Sequence, residues 1–83
     1  MKIGEFLKQK RLEAGLSQGS MAKRLGYTSP QFISNWERGL SKPPRSKLKK
    51  ISLVLKINSE QFFDSYIDIL LEEYRKDLKK EFK

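Results

Sequence analysis

Cysteine and histidine are both absent from this sequence of 83 residues. Without cysteine the chain has no disulfide framework and no thiolate metal site. Without histidine it lacks the side chain that most often serves as a general base and as a zinc ligand. No convergent pair of carboxylates is visible, because the acidic residues concentrate in the last third of the chain. We therefore expect no enzyme, no bound metal and no cofactor.

Long apolar runs are missing as well. No stretch approaches the roughly 18 consecutive apolar residues that span a membrane. Residues 1–10 lack the apolar core of a secretory signal. The length fits one domain with a modest hydrophobic core. These features predict a small cytoplasmic protein.

The positive charge is confined to the first two thirds of the chain. Residues 1–58 contain 13 lysines and arginines against 3 acids, whereas residues 59–83 contain 5 against 7. A basic field of this kind attracts a polyanion such as a nucleic acid. A surface charged only for solubility is the alternative, but the uneven distribution favours a basic binding face.

Apolar residues recur at helical spacing, whereas the alternation typical of strands is weak. The pattern predicts five helices, over about residues 3–14, 18–25, 30–38, 45–56 and from 59 almost to the C-terminus. Ser17 and Asn58 are placed to cap the second and fifth helices. Ser29 is placed to cap the third, with Pro30 at its first helical position.

The second and third predicted helices form a helix-turn-helix pattern over residues 18–38. Ala22 supplies the small residue that closely crossing helices need, and Gly26 can take the positive φ of the turn. Ile33 and Trp36 lie three positions apart and can hold the inner side of the third helix. The other side is polar and carries residue types that bond bases and phosphates in the major groove: Gln31, Ser34, Asn35 and Arg38.

Four segments, in this order and spacing, resemble the lambda-repressor-like (XRE, or Cro-type) helix-turn-helix family: Leu16-Ser17-Gln18, Ala22, Leu25-Gly26, and Ile33 with Trp36-Glu37-Arg38-Gly39. The resemblance covers about residues 3–63. It implies an all-α, five-helix lambda-repressor-like DNA-binding domain over residues 1–63. Here the last helix is extended, and residues 64–83 are its continuation, which we interpret as a dimerisation segment.

The resemblance further implies sequence-specific binding of double-stranded DNA by a transcriptional regulator, a repressor, that docks the third helix in the major groove. Gln31 is the leading base reader and Phe32 presses on a thymine methyl group. The implied DNA-binding set is Gln18, Ser29, Gln31, Phe32, Ser34, Asn35, Arg38, Lys42 and Arg45. An internal ion pair between Arg11 and Glu37 is also implied. It links the first helix to the end of the third.

Simpler explanations exist for several of these residues. Gln18 can be an exposed helix former, Phe32 can pack into the domain, and Lys42 and Arg45 can be loop residues that aid solubility. For function, the alternative is a protein-interaction module, such as an antitoxin or a helix-turn-helix protein that binds another regulator.

The last predicted helix carries an apolar stripe that a small four-helix core cannot cover: Leu70, Leu71, Tyr74, Leu78 and Phe82. Uncovered apolar stripes mark association surfaces. We therefore expect a homodimer that reads an inverted repeat. The alternative is that this helix folds back onto Phe6 and Leu12 within one subunit.

Overall fold

A computed structural model describes residues 1–82 of the chain, and in this part of the chain it contains helices and no strands. The five helices are α1 (Ile3–Glu13), α2 (Gln18–Arg24), α3 (Gln31–Glu37), α4 (Leu48–Val54) and α5 (Ser59–Glu81). A short 3-10 turn, Arg45–Lys47, precedes α4. The all-α, five-helix prediction is therefore confirmed.

Two of the predicted caps form as expected. The Ser17 hydroxyl accepts a hydrogen bond from the Ser20 N–H at 3.0 Å, and the Asn58 side-chain oxygen accepts one from the Gln61 N–H at 3.2 Å. Such bonds satisfy backbone donors that the first turn of a helix leaves without intrahelical acceptors.

The start of α3 differs from the prediction by one residue. Pro30 precedes the first helical residue instead of occupying that position. The Ser29 hydroxyl still accepts from the Gln31 N–H, at a long 3.4 Å. Proline has no N–H to donate, so the first donor that the serine can satisfy is the one that follows it.

The fourth predicted helix is shorter than expected, because its first turn is a 3-10 turn. Pro44 keeps an extended backbone with ψ of 141°, and the Lys47 N–H donates to the Pro44 carbonyl at 2.9 Å. The chain therefore leaves the proline pair through a tight turn before regular α geometry begins at Leu48.

The turn between α2 and α3 depends on glycine, as predicted. Gly26 has a φ of +89°, which residues with a side chain rarely adopt. Its N–H donates to the Lys23 carbonyl, and the Tyr27 N–H donates to the Ala22 carbonyl at 2.9 Å. This is the Schellman arrangement, which ends α2 and redirects the chain toward α3.

The hydrophobic core lies between all five helices. Its members are the buried side chains Ile3, Phe6, Leu7, Leu16, Met21, Ala22, Leu25, Ile33, Trp36, Ile51, Leu55, Phe62 and Tyr66. Phe62 and Tyr66, from the first half of α5, close the core on one side, and the Phe6 and Phe62 rings lie 5.8 Å apart. Burial raises the pKa of Tyr66, and the nearby carboxylate of Glu73 raises it further.

The second half of α5 extends past the core. Glu73 Oε1 accepts a hydrogen bond from the Ile3 N–H at 3.0 Å, so α5 supplies an acceptor to the N-terminus of α1. Of the two residues in the fold-back alternative, Phe6 is buried against Phe62 in the first half of α5, whereas Leu12 remains 59% exposed and is not covered by the helix. Among residues 1–82, no helix combines the length and the apolar character needed to cross a membrane.

Helix α1 approaches the C-terminal end of α3 at backbone distance. An added Cβ at Gly4 would lie 2.4 Å from the Glu37 carbonyl oxygen and 2.7 Å from that of Trp36. Separations this short do not occur between real atoms of these types, and the obstacles are backbone atoms that cannot rotate away. Only glycine therefore permits this packing of α1 on α3.

We predict that Gly4→Ala destabilises the protein by about 1–3 kcal/mol, the usual range for overpacking a well-packed contact. Gly19→Ala is the matched control, because Gly19 is helical and its added Cβ would meet only the Ser17 hydroxyl, at 3.9 Å. We expect the control to be neutral or to stabilise by up to about 1 kcal/mol. Urea unfolding of both variants measures the difference, and equal midpoints would contradict the close contact.

Candidate nucleic-acid interface

The inner side of α3 is anchored in the core as the sequence predicts. Ile33 and Trp36 are 1% and 2% exposed, and Ala22 of α2 is also buried at the crossing of the two helices. With these side chains inside, the opposite side of α3 faces solvent. The helix-turn-helix pattern therefore folds as a rigid unit with one polar face outward.

A buried ion pair connects α1 to the end of α3. Arg11 Nε donates to Glu37 Oε2 at 2.6 Å, and Arg11 Nη2 donates to Glu37 Oε1 at 3.0 Å. The two side chains are only 7% and 4% exposed. The pairing predicted between these residues is present, in the two-bond geometry that favours arginine over lysine.

Two further hydrogen bonds join this pair to its surroundings. Arg11 Nη1 donates to the Leu16 carbonyl at 2.8 Å, and Gln18 Nε2 donates to Glu37 Oε1 at 3.1 Å. The hydrogen bonds to Glu37 raise the pKa of Arg11, against the opposing effect of burial. Gln18 is thus half-buried and joined to Glu37, and it is not simply an exposed helix former.

The outward face of α3 carries a connected set of polar side chains. Gln31 Nε2 donates to Asn35 Oδ1 at 2.9 Å, and Arg38 Nη2 donates to the same oxygen at 3.0 Å. Gln31 and Arg38 are exposed, and Asn35 and Ser34 are half-buried. The side-chain oxygen of Gln31 (Oε1) can still accept a hydrogen bond, and the side-chain nitrogen of Asn35 (Nδ2) can still donate one. This face can therefore both donate to and accept from base edges.

Phe32 lies at the edge of this face in an aromatic cluster that the sequence did not predict. Its ring stacks on Tyr27 at 4.7 Å but remains 52% exposed. Tyr27 in turn meets Trp36 edge-on at 5.8 Å, and Lys47 Nζ lies 5.2 Å from the Tyr27 ring centre. Phe32 is therefore held in position without being buried. Only the aromatic character of Tyr27 could have indicated this neighbour.

The basic residues after α3 lie on the surface. Lys42 and Arg45 are exposed, as is Ser29 before α3. Lys42 Nζ lies 4.0 Å from Glu73 Oε2 of α5, a contact that joins residues 31 positions apart and that no local pattern signals. Because Lys42 is 57% exposed, solvent and salt weaken this pair, and the ammonium group can leave it at little cost.

The residues predicted for dimerisation separate into two groups. Leu71, Tyr74, Leu78 and Phe82 are exposed, whereas Leu70 is half-buried and packs against the core. Ile67, which is not among the residues predicted for dimerisation, is also 49% exposed. The exposed apolar surface of α5 therefore begins one turn earlier than predicted.

Comparison with known proteins gives consistent matches. A family model described as helix-turn-helix matches residues 7–62. An uncharacterized HTH-type transcriptional regulator of Mycobacterium tuberculosis is 34% identical over 60 residues, covering 72% of this chain and 42% of the relative. A protein similarly named in Sinorhizobium fredii is 26% identical over 73 residues, covering 88% of this chain and 50% of that relative. The chain spans half or less of the length of these curated relatives.

Three solved structures share the fold. The P22 c2 repressor in complex with a synthetic operator matches with a TM-score of 0.65 and 26% identity, covering 75% of this chain and 92% of that one. SinR, a master regulator for biofilm formation, in complex with DNA gives 0.63 and 32%, covering 74% and 97%. A SinR–SinI protein complex gives 0.63 and 29%, covering 98% and 79%.

We predict that Glu37→Gln and Arg11→Met each destabilise the protein by about 3–5 kcal/mol, because each leaves a buried charge without its partner. The double variant Arg11→Met with Glu37→Gln removes both charges, and we expect it to be less destabilised than the sum of the two single changes. Denaturant unfolding of all four proteins gives the coupling free energy. Single changes that cost less than about 1 kcal/mol would show that the pair is not desolvated in solution.

Proposed function

This chain belongs to the XRE-type helix-turn-helix family, and from that premise we propose that it is a sequence-specific double-stranded DNA-binding repressor of transcription. The family membership confirms the resemblance inferred from the sequence. The observation that carries the proposal is the exposed Gln31–Asn35–Arg38 network on a helix whose opposite side is fixed in the core. We infer a cytoplasmic regulator without enzymatic activity. This inference agrees with the relatives, which are named as transcriptional regulators.

Helix α3 supplies the base contacts in this proposal. Glutamine and asparagine can each pair with the two major-groove atoms of adenine, and Gln31 is the more exposed of the two. Phe32 presents a ring edge beside them, suited to a thymine methyl group. The hydrogen bond between Gln31 and Asn35 limits the rotamers of both side chains, so less conformational entropy is lost when they meet a base.

Phosphate contacts position the domain on the duplex. Lys42 and Arg45 follow α3 and offer exposed positive charges, while Ser29 and Gln18 stand at the N-terminal ends of α3 and α2. Contacts of this type carry affinity and salt dependence more than sequence information. Gln18 keeps its carboxamide oxygen free while its nitrogen is bonded to Glu37, so it serves mainly to hold α2 against α3.

Two copies on one duplex would read an inverted repeat. The half-sites would lie about 34 Å apart, one helical turn, or a multiple of that distance. The exposed apolar residues of α5 support association of this chain with another polypeptide.

A second candidate function is a protein-interaction module of the antitoxin or regulator-binding kind. It is favoured by the similarity to the SinR–SinI protein complex, which extends over 98% of this chain and so includes α5. The two candidates separate on whether a duplex is bound in the absence of any other protein.

Selection of bound duplexes from a random pool tests the main proposal. We expect enrichment of an inverted repeat with adenines opposite Gln31 and Asn35, since these side chains match the adenine edge. The selection should be repeated at two salt concentrations. Binding through phosphate contacts alone weakens as the salt concentration rises and enriches no particular sequence. A pool that stays random while the protein remains folded would refute the proposal.

Gln31→Ala is predicted to weaken binding to the selected site by about 1–3 kcal/mol and to leave binding to random duplex unchanged. Lys42→Ala should instead weaken both, and lower the slope of log affinity against log salt by about one. Gln61→Ala, an exposed glutamine on α5, is the control and should change neither. Fluorescence anisotropy on both duplexes makes the measurement, and an equal loss on both by Gln31→Ala would argue against base reading.

A further inference from the structure

Four exposed apolar side chains follow one line along α5: Ile67, Leu71, Tyr74 and Leu78, which we name the α5 stripe. They are 49%, 57%, 63% and 42% exposed. The intervals between them are four, three and four residues. This alternation is the heptad spacing by which two helices pack side by side.

The face that bears the α5 stripe is open along the whole helix. Toward the N-terminus the same line continues through Asp64 and Glu60, which are both exposed, so no other part of the chain covers it. The opposite side of α5 is fixed to the domain by buried Phe62 and Tyr66 and by the hydrogen bond from the Ile3 N–H to Glu73. A partner would therefore meet a rigid and accessible helix surface.

Charge is divided sharply along this helix. Residues 59–73 contain five acidic residues and no basic residue, whereas residues 74–82 contain four basic residues and two acidic ones. Two copies of α5 laid parallel would place the acidic halves beside each other. Laid antiparallel, the acidic half of each would lie beside the basic half of the other, which lowers the electrostatic energy.

We propose that two copies of this chain pair through the α5 stripe with their α5 helices antiparallel. In the register that matches the heptad spacing, Leu71 packs opposite the partner's Tyr74, and Ile67 packs opposite the partner's Leu78. Each apolar residue of the stripe then meets one from the other copy, and the two-fold axis passes between residues 72 and 73. The occupant of this surface is thus a second copy of the same chain.

The charges beside the stripe agree with this register. On one flank Asp68 faces the partner's Arg75, and the two-fold axis repeats this pair. On the line of the stripe, Asp64 meets the partner's Glu81 at the exposed end of the interface, where solvent and salt weaken the repulsion. A parallel arrangement does not form the Asp68–Arg75 pair, because the flank that bears these residues would then face the partner's Phe63 and Leu70. Charge pairs next to an apolar seam are the usual determinant of helix orientation.

This inference specifies how two copies of the chain associate. It rests on the proposal that the chain acts as a pair of copies, and it does not depend on DNA binding. All its tests are made on the full chain without DNA. If selection finds a DNA site while the chain stays monomeric, the pairing is wrong and DNA binding stands. If the pairing holds while no site is found, DNA binding is wrong and the pairing stands.

The central experiment reverses one charge at a time and measures the dimer dissociation constant by sedimentation equilibrium. Asp68→Arg and Arg75→Asp each place like charges together at two points, and we expect each to weaken the dimer about tenfold or more. The double variant restores opposite charges and should regain the original constant. Lys76→Asp is the matched control, since Lys76 is 68% exposed and points away from the stripe, and it should leave dimerisation unchanged.

Mixing the two single variants gives a sharper test. In the mixed dimer, the arginine placed at position 68 of one chain faces the aspartate placed at position 75 of the other. The native Arg75 of the first chain faces the native Asp68 of the second, so both flank pairs are attractive, whereas both are repulsive in each variant alone. We expect a heterodimer stronger than either homodimer. All these positions are exposed, so a loss of dimer without loss of helical circular dichroism reports on the interface and not on folding.

Orientation is checked by disulfide formation, because the natural chain has no cysteine. Asp64→Cys and Glu81→Cys should cross-link readily when mixed and poorly when each is alone, since antiparallel helices place each residue about 26 Å, roughly seventeen residues of helix, from its own copy. Cross-linking of Asp64→Cys to itself would show parallel helices and overturn the proposal. A monomer at high micromolar concentration, or a dimer indifferent to charge reversal, would also overturn it and leave the stripe to a different protein.

Discussion

The buried pair between Arg11 and Glu37 is the contact on which the orientation of α3 depends. Arg11 bonds the carboxylate twice and the Leu16 carbonyl once, and Gln18 adds a third bond to the same carboxylate. One small cluster therefore joins α1, the turn after it, the start of α2 and the end of α3. If either Arg11 or Glu37 were removed, the other would be a buried charge without a partner. Loss of one residue therefore removes the stabilisation that the whole cluster provides.

This cluster acts together with a steric constraint at the same place. Gly4 lets α1 approach the last carbonyls of α3, and the ion pair joins the two helices beside that contact. Ile33 and Trp36 fix the rotation of α3, while the contacts at its C-terminal end fix its tilt. The polar face of α3 is thus presented in one orientation. A side chain that reads bases needs this, because an error of about 1 Å removes a hydrogen bond.

Sequence patterns predicted the features that depend on local rules. Helical periodicity, the Ser17 and Asn58 caps, the glycine turn and the inward position of Trp36 each follow from residues within one or two turns of each other. Most of the contacts that were missed join distant segments: Gly4 with Glu37, Tyr27 with Lys47, and Glu73 with Ile3 and Lys42. The stacking of Tyr27 on Phe32 is closer in sequence, but it crosses the turn between α2 and α3, where helical periodicity gives no guide. No local pattern marks Gly4 as a contact point, since a glycine near a helix start is as compatible with open solvent as with a close approach. The DNA-contacting roles come from the family resemblance, and the structure adds only their positions and exposure.

The basic surface that follows α3 and the acidic first half of α5 lie in different parts of the molecule. The sign of the charge on each surface determines which partner it attracts. The basic residues that follow α3 repel other basic surfaces and attract phosphates, whereas the acidic half of α5 repels phosphates and attracts basic residues. Lys42 and Glu73 are the point where the two surfaces meet, 4.0 Å apart. In the proposed complex with DNA, a phosphate that pairs with Lys42 would release Glu73, which would keep its hydrogen bond to the Ile3 N–H. If α3 meets DNA as proposed, its polar face and the α5 stripe can therefore be occupied together, because loss of the Lys42–Glu73 contact leaves the hydrogen bond between Glu73 and α1 in place.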